Sequence, residues 1–215
     1  MPLTNRDTKL LVFTKAPQPG AVKTRLIPVL GEEGASALHA RLVKRTLATA
    51  RASGVGQVEL WCAPDADDPF LRFCGGRYGV SLVAQCEGDL GKRMLYAFQQ
   101  ALTSTARAIL IGTDCPALTD RHLRDADRWL AAGMDAVVAP AEDGGYALIG
   151  LTRCDARLFE GITWGTSHVM KDTRERLSAL GWRWQELESL WDVDQPEDYQ
   201  RLLASGLLDR PGIHA

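Results

Sequence analysis

The chain has 215 residues, of which 46% are hydrophobic and 24% are charged, as in an ordinary globular domain. Its formal net charge of -2 excludes the overall positive field that attracts nucleic acid or an anionic membrane. The five cysteines form no C-x-x-C pair, the N-terminus lacks the apolar core of a signal peptide, and no apolar run has transmembrane length, so we expect a cytoplasmic protein without a membrane partner.

The first predicted element is a buried strand at residues 10–13, where four apolar residues follow one another. It leads into a loop in which two prolines and Gly20 prevent regular structure. Three positive charges accompany this loop: Lys15, Lys23 and Arg25. Such a loop can hold a polyphosphate through backbone N–H groups and fixed cations, or it can be a surface loop with solvated charges.

Strand and helix patterns alternate through the next hundred residues. The first helix has an apolar stripe of leucines, and we expect its basic residues, Arg45 among them, on the solvated face. The predicted elements are a helix at 33–52, strands at 57–62, 80–85 and 108–111, a helix carrying Met94, Phe98 and Leu102, and a helix capped by Thr119.

Two closely spaced strands, at 136–139 and 147–151, predict an antiparallel hairpin. A helix at 167–180, a strand at 182–187 and a helix that Pro196 opens complete the pattern. Together these elements predict an α/β fold with three layers (α/β/α), a mainly parallel central sheet and a small antiparallel hairpin. We expect a single domain over 1–205 and a loosely attached tail at 206–215.

Ligands of a parallel sheet bind at the carboxyl ends of its strands. Three predicted loops of interest end there: 15–25, 85–93 and 112–116. Asp114 directly follows a buried strand, where a carboxylate is poorly solvated and needs a partner. We therefore expect it to be a metal ligand, although an aspartate in this position can also cap its own turn.

A second acidic pair lies near the end of the chain. Asp192 and Asp194 point to the same side if the segment is extended. Because Mg²⁺ needs only one or two protein carboxylates besides phosphate and water, one of them could complete a site with Asp114. The alternative is that Asp194 only caps the helix that begins near Pro196.

Six motifs occur in a fixed order between residues 10 and 199: TKAPQPGAVKTRL, GDLGKRM, GTDCP, EDGGYALIGL, ITWGTS and DVDQPEDY. With this ordered set the chain resembles the nucleotide-diphospho-sugar transferase superfamily, which has the glycosyltransferase-A-type fold. The resemblance is closest to the bacterial arsenosugar-biosynthesis-type, or radical-SAM-associated, glycosyltransferases. The first motif is also similar to 2-phospho-L-lactate guanylyltransferases, and the last to molybdenum-cofactor nucleotidyltransferases.

This resemblance implies a donor side. The loop at 16–25 would contact the phosphates of a nucleotide-activated donor, with Lys23 and Arg25 as catalytic cations. Three residues of the second motif region would lie near the base and ribose: Gln85, Gly88 and Leu90. Lys15 and Gly20 would complete the nucleotide-binding set.

It also implies a metal and an acceptor side. Asp114 stands at the metal-binding aspartate of the superfamily, Asp194 at the second acidic position, and Asp192 beside it, so Mg²⁺ or Mn²⁺ is the expected cofactor. The acceptor side would be lined by Gly144, Gly145, Tyr146 and Trp164. From the residues alone, the two glycines are also typical of a hairpin turn, and the tryptophan ring is expected in the core rather than in an exposed loop.

Two departures from the pattern leave the reaction open. The first loop lacks the G-x-G-x-R pattern of nucleotidyltransferases, and Gln195 replaces their threonine. We expect a Mg²⁺-dependent transferase for a small-molecule acceptor, first a glycosyltransferase that uses a nucleoside-diphosphate sugar. The alternatives are a nucleotidyltransferase that releases pyrophosphate, and a non-catalytic nucleotide-binding domain. The sequence does not indicate the oligomeric state.

Overall fold

The alternating patterns of the sequence become seven strands and six α-helices within residues 7–208, the part of the chain that the structure, a computed structural model, describes. The strands are β1 (Thr8–Lys15), β2 (Gln57–Ala63), β3 (Ser81–Ala84), β4 (Arg107–Ile111), β5 (Ala136–Pro140), β6 (Tyr146–Leu151) and β7 (Trp184–Glu186). The helices are α1 (Ile27–Ser53), α2 (Pro69–Tyr78), α3 (Leu90–Leu102), α4 (Asp120–Ala131), α5 (Val169–Ala179) and α6 (Pro196–Ser205).

All seven strands belong to one sheet, in the order β3-β2-β1-β4-β6-β5-β7. β6 pairs antiparallel with both of its neighbours, and every other pairing between named strands is parallel. The mainly parallel sheet and the antiparallel hairpin of β5 and β6 are therefore confirmed. The hairpin is not a separate addition, because β6 lies inside the sheet between β4 and β5.

Alternate side chains of β1 reach two different cores. Leu10 and Val12 pack into the core beneath α1, α2 and α4, whereas Leu11 and Phe13 pack into the core beneath α3 and α5. A central parallel strand buried on both faces has this property. The arrangement confirms the three layers and explains why the sequence of β1 is a continuous apolar run.

Helix α1 contains one correction to the sequence analysis. Arg45 is 9% exposed, and its guanidinium donates two hydrogen bonds to the carbonyl oxygen of Pro116, from Nε at 3.0 Å and from Nη2 at 2.8 Å. The expectation of a solvated Arg45 was wrong because it follows Leu38 and Leu42 at helical spacing, on the face that packs inward. In the described part of the chain, neither α1 nor any other helix is apolar enough over a sufficient length to cross a membrane.

The end of the described chain packs on α1 through a third, smaller core. Leu202 of α6 and Leu208 are buried in it together with Leu38 and Leu42. The predicted tail at 206–215 thus includes one buried residue, Leu208, and residues 209–215, like residues 1–6, lie outside the described residues. The division into a domain at 1–205 and a tail stays a prediction.

Candidate functional site

The order of the strands identifies the edge at which a ligand can bind. The chain runs outward from β1 to β2 and β3, and it then returns to place β4 on the other side of β1. Strand order reverses between β1 and β4, and the loops at the carboxyl ends of two such strands diverge to leave a crevice. A cavity of about 550 Å³ opens there, and all three predicted loops contribute to its lining.

The loop after β1 is fixed to the sheet and brings Lys23 to the floor of the cavity. The backbone N–H of Ala16 donates to the carbonyl oxygen of Ala63 at 2.8 Å. Lys23 has a left-handed backbone conformation with φ 49°, which is uncommon for a lysine and indicates a position imposed by its surroundings. Its Nζ is 2.6 Å from Oδ1 of Asp114 and 2.5 Å from the carbonyl oxygen of Val193.

The structure brings the two predicted acidic segments together. The backbone N–H of Val193 donates to the carbonyl oxygen of Asp114 at 2.9 Å, so the segment 192–194 lies directly against the loop after β4. Both Asp114 and Asp194 line the cavity. Asp194 forms an ion pair with Arg25, and these two residues also line a second cavity of about 340 Å³.

Asp114 is the electrostatic centre of the site. Partial burial favours the neutral acid, but the ammonium groups around this carboxylate, chiefly that of Lys23, together outweigh this effect and hold the pKa of Asp114 below its usual value. The ring of His39 lies beside this carboxylate, with its Nδ1 3.9 Å from Oδ1 of Asp114. Asp114 is therefore an anion at neutral pH, as a metal ligand must be.

Asp192 has the opposite electrostatic environment. Its half-buried carboxyl lines the second cavity, and burial together with the nearby carboxylate of Asp143 raises its pKa to about 6. Within residues 7–208, no three His, Cys, Asp or Glu side chains are grouped so that they could hold a metal ion. Mg²⁺ does not require such a group, since substrate phosphates and water supply most of its ligands.

On the donor side, Gln85 and Leu90 line the cavity. Gly88 forms a hydrogen bond with Arg93, a third residue of the lining. The amide of Gln85 donates to the carbonyl oxygens of Thr14 at 3.2 Å and Trp61 at 2.8 Å, which leaves its Oε1 towards Nη1 of Arg93 at 3.4 Å. The carbonyl oxygen of Gly88 accepts from Nε of Arg93 at 2.9 Å.

The remaining predicted donor residues differ in their placement. Lys15 is exposed and lines the cavity beside Lys23 and Arg25. Gly20 is in the same loop, with φ 77°, and a Cβ there would lie 3.5 Å from the carboxylate of Glu32, but it is not part of the lining that the described residues form.

The predicted acceptor residues lie in packed surroundings outside the lining of this cavity. A Cβ on Gly144 would lie 2.3 Å from the carbonyl oxygen of Ser167, and Gly145 closes a turn by donating its N–H to Asp143 Oδ1 at 2.8 Å. The ring of Tyr146 meets that of Trp164 edge-on at 6.4 Å. Among the described residues that line the cavity, none of these four is present, so their role in acceptor binding stays a prediction.

Two cavity residues were missed by the sequence analysis. His39 lies on α1, 75 residues from Asp114, and a single histidine within a helix carries no local signal of a site. Arg93 begins the second turn of α3, a position where an arginine is usually solvated. Its position three residues after Leu90 in the GDLGKRM motif was the signal that could have placed it on the same helix face.

Comparisons with known proteins agree with this architecture. Residues 46–166 match the family described as "Uncharacterized protein conserved in bacteria (DUF2064)". A structure from Desulfovibrio desulfuricans G20, provisionally described as a nucleotide-diphospho-sugar transferase, shares 31% sequence identity, with 94% of this chain and 88% of that chain covered and a TM-score of 0.85. No curated protein matches the chain.

More distant structures share the fold. A CMP:2-keto-3-deoxy-manno-octonic acid synthetase in complex with CTP has 10% identity and a TM-score of 0.58, over 95% of this chain and 100% of that chain. Rv0371c of Mycobacterium tuberculosis H37Rv, solved in complex with manganese, has 19% identity and a TM-score of 0.59, over 93% and 99%. They confirm the nucleotide-diphospho-sugar transferase fold that the motifs imply.

Proposed function

The chain belongs to the DUF2064 family, and we propose that it is a transferase that acts on a nucleotide-activated donor. The observation that carries the proposal is the charge of the cavity at the reversal of strand order. Four cationic side chains line it, against two carboxylates: Lys15, Lys23, Arg25 and Arg93 against Asp114 and Asp194. A diphosphate or triphosphate group complements this excess of positive charge.

The phosphates would be held mainly by the cations that are not already paired with a carboxylate. Within residues 7–208, neither Lys15 nor Arg93 has a carboxylate within 4 Å, so both can meet phosphate oxygens without breaking an ion pair. Arg25, 60% exposed at its side chain, can exchange Asp194 for a phosphate. Together with Lys23, it would stabilise the negative charge that develops on the departing phosphate.

A divalent cation fits the acidic side of this site. Burial, with a further contribution from the carboxylate of Asp143, raises the pKa of Asp192, and a cation bound nearby would favour the charged form of this carboxyl. Asp114, with Asp192 or Asp194, would hold Mg²⁺ or Mn²⁺, which when bound neutralises phosphate oxygens and makes the phosphate a better leaving group. The manganese-bound Rv0371c structure supports this part of the proposal by analogy of fold.

The acceptor would enter from the second cavity, which adjoins the first at Arg25 and Asp194. This cavity also contains Asp143 and Ser167, neighbours of the predicted acceptor residues Gly144 and Gly145. Residues lining two adjoining cavities can hold donor and acceptor side by side, and positioning of this kind supplies much of the rate of a transfer reaction. We therefore propose a direct transfer without a covalent enzyme intermediate.

Glycosyl transfer from a nucleoside-diphosphate sugar is our first candidate, in line with the 31% identical relative. Nucleotidyl transfer is the second, and the loop after β1 favours it. Lys23, Thr24 and Arg25 all line the cavity, and two cations so close together suit the larger charge of a triphosphate.

A binding panel followed by a product assay tests the proposal. Nucleoside triphosphates, nucleoside diphosphates and nucleotide sugars, each with and without Mg²⁺, are screened for a rise in the thermal midpoint, since a ligand of the folded state raises it. The best donors are then incubated with sugar and phosphorylated acceptors. Release of a nucleoside diphosphate indicates glycosyl transfer, and release of pyrophosphate indicates nucleotidyl transfer. If no nucleotide raises the midpoint, the proposal is wrong.

A further inference from the structure

A buried histidine beside Asp114 has one ring nitrogen without a partner. His39 is 4% exposed and lines the floor of the 550 Å³ cavity. Its Nε2 is 3.0 Å from the carbonyl oxygen of Lys15. Its Nδ1 faces Oδ1 of Asp114 at 3.9 Å, and no residue in the described range 7–208 forms a hydrogen bond with it.

The tautomer of this histidine follows from its contacts. A carbonyl oxygen can only accept, so the proton lies on Nε2 and is donated to Lys15. Burial lowers the pKa of His39, and the Lys23 ammonium adds to the effect, so the ring is neutral. Nδ1 therefore presents a lone pair, an acceptor, to the region between Asp114 and Lys23.

The lone pair on Nδ1 can accept a hydrogen bond from the Lys23 ammonium. The side chain of Lys23 is only 3% exposed, and its ammonium donates to Asp114 Oδ1 and to the Val193 carbonyl oxygen. If Asp114 binds a metal ion or a ligand, as the proposed function requires, the ammonium loses its carboxylate. Of the two acceptors only the Val193 carbonyl oxygen then remains, and a buried ammonium that loses an acceptor is destabilised.

We propose that His39 is a positioning residue whose Nδ1 serves as the second acceptor for the Lys23 ammonium, so that Asp114 can leave Lys23 and bind a cation. The inference rests on the proposed function, because it needs Asp114 to change partners. Nδ1 and the ammonium lie on the same carboxylate oxygen, at 3.9 and 2.6 Å. The move from one acceptor to the other is therefore within reach of a flexible lysine side chain.

Two substitutions separate the two nitrogens of the ring. His39→Gln keeps a donor at the distance of Nε2, and so keeps the bond to Lys15, but it has no acceptor at the position of Nδ1. His39→Asn places an amide at the position of Nδ1 and loses the bond to Lys15. The positioning role predicts that metal affinity depends on the acceptor at Nδ1 and that stability depends on the hydrogen bond from Nε2.

The probe is Mn²⁺, whose free concentration is read from its electron paramagnetic resonance signal while the full chain is titrated. We expect His39→Gln to raise the Kd for Mn²⁺ about tenfold, the effect of one hydrogen bond to a charged group, and to change the thermal midpoint little. We expect His39→Asn to keep the Kd within about threefold and to lower the midpoint by about 2–4 °C.

A third variant distinguishes the positioning role from direct contact with the metal. In a Lys23→Met background the ammonium is absent, so His39→Gln should have no further effect on the Kd for Mn²⁺. A tenfold loss that persists in this background would mean that Nδ1 contacts the metal or its water, and would overturn the proposal. Equal Mn²⁺ affinity of His39→Gln and the unchanged chain would overturn it too, while leaving the proposed function intact.

The proposed function has its own outcome in this experiment. If the unchanged chain binds no Mn²⁺, alone or with the best nucleotide of the panel, the metal part of that function is wrong and the inference about His39 falls with it. If the unchanged chain binds Mn²⁺ and the two His39 variants have equal affinity for it, only the inference about His39 is wrong.

Discussion

The two halves of the sheet treat their motif residues differently. In the half formed by β1, β2, β3 and β4, the loops at the carboxyl ends direct Lys23, Arg93 and Asp114 into one cavity. In the half formed by β5, β6 and β7, the motif residues Tyr146 and Trp164 pack against each other. Both sets belong to motifs of the same superfamily pattern, yet neither Tyr146 nor Trp164 is among the described residues that line this cavity.

The connection that follows each strand accounts for much of this difference. Parallel strands end at the same edge, so the loops after β1, β3 and β4 meet there. β5 and β6 are antiparallel and joined by a tight turn, so their connection has little backbone to spare for a binding loop. A motif shared with a superfamily therefore predicts which residue is present more reliably than it predicts what that residue does. Substitutions in the two halves of the sheet test this difference.

Loss of the central carboxylate should have the largest effect. Asp114→Asn removes the negative charge that faces Lys23 and the proposed metal, and we expect turnover to fall about 10³-fold, or about 4 kcal/mol. Asp120→Asn is the matched control, because Asp120 is a cap-region aspartate that pairs with exposed Arg124, and it should leave turnover within about twofold. Unchanged biological activity of Asp114→Asn would instead favour a non-catalytic nucleotide-binding domain.

The second half of the sheet should respond in stability rather than in binding. In Gly144→Ala the new Cβ would lie 2.3 Å from the carbonyl oxygen of Ser167, at a φ of 89°, so the backbone must move. We expect a loss of about 3 kcal/mol in the free energy of unfolding, a fall of about 6–12 °C in the thermal midpoint. Gly76→Ala, in α2 with nothing within 4 Å of the new Cβ, should be neutral or slightly stabilising.

The same contrast shows what the sequence could reveal. Strands such as β1 and β4 were predictable, because a run of apolar residues is a local signal and burial on both faces requires it. Asp114 was predictable as a site residue from its place after such a strand. Its meeting with the segment 192–194 depends on packing between elements some eighty residues apart, and the ordered motifs supplied that link only by resemblance.

The sequence could not reveal which polar side chains are buried. Helical spacing from Leu38 and Leu42 places Arg45 on the inward face of α1, yet nothing local shows that its guanidinium, or the ring of His39, has a buried partner. Each can be buried because it donates a hydrogen bond to a distant carbonyl oxygen. Arg45 donates to that of Pro116, and His39 donates to that of Lys15. Such partners are determined by the tertiary structure, so a helical pattern can predict a face but not the exceptions on it.

Removal of one unpaired cavity cation should have an intermediate effect. Lys15→Gln removes one positive charge from the rim of the cavity, and we expect the Kd of the best nucleotide to rise about fivefold to tenfold, with a weaker dependence on salt. Lys171→Gln, an exposed lysine of α5 that pairs with Glu175, should change neither. An equal effect of both substitutions would mean that only the overall charge matters, and the cavity would lose its special role.

Tyr146→Phe should have the smallest effect, and it tests the acceptor role most directly. The phenol oxygen of Tyr146 lies 3.6 Å from the sulfur of Met94, a weak partner, while its ring packs against Trp164. If packing is its whole task, the loss of the hydroxyl should cost at most about 0.5 kcal/mol of stability and should leave the KM for the acceptor within about twofold. A tenfold rise in that KM, with the KM for the donor unchanged, would show that Tyr146 turns its hydroxyl towards the acceptor. The second half of the sheet would then contribute to binding, as the resemblance implies.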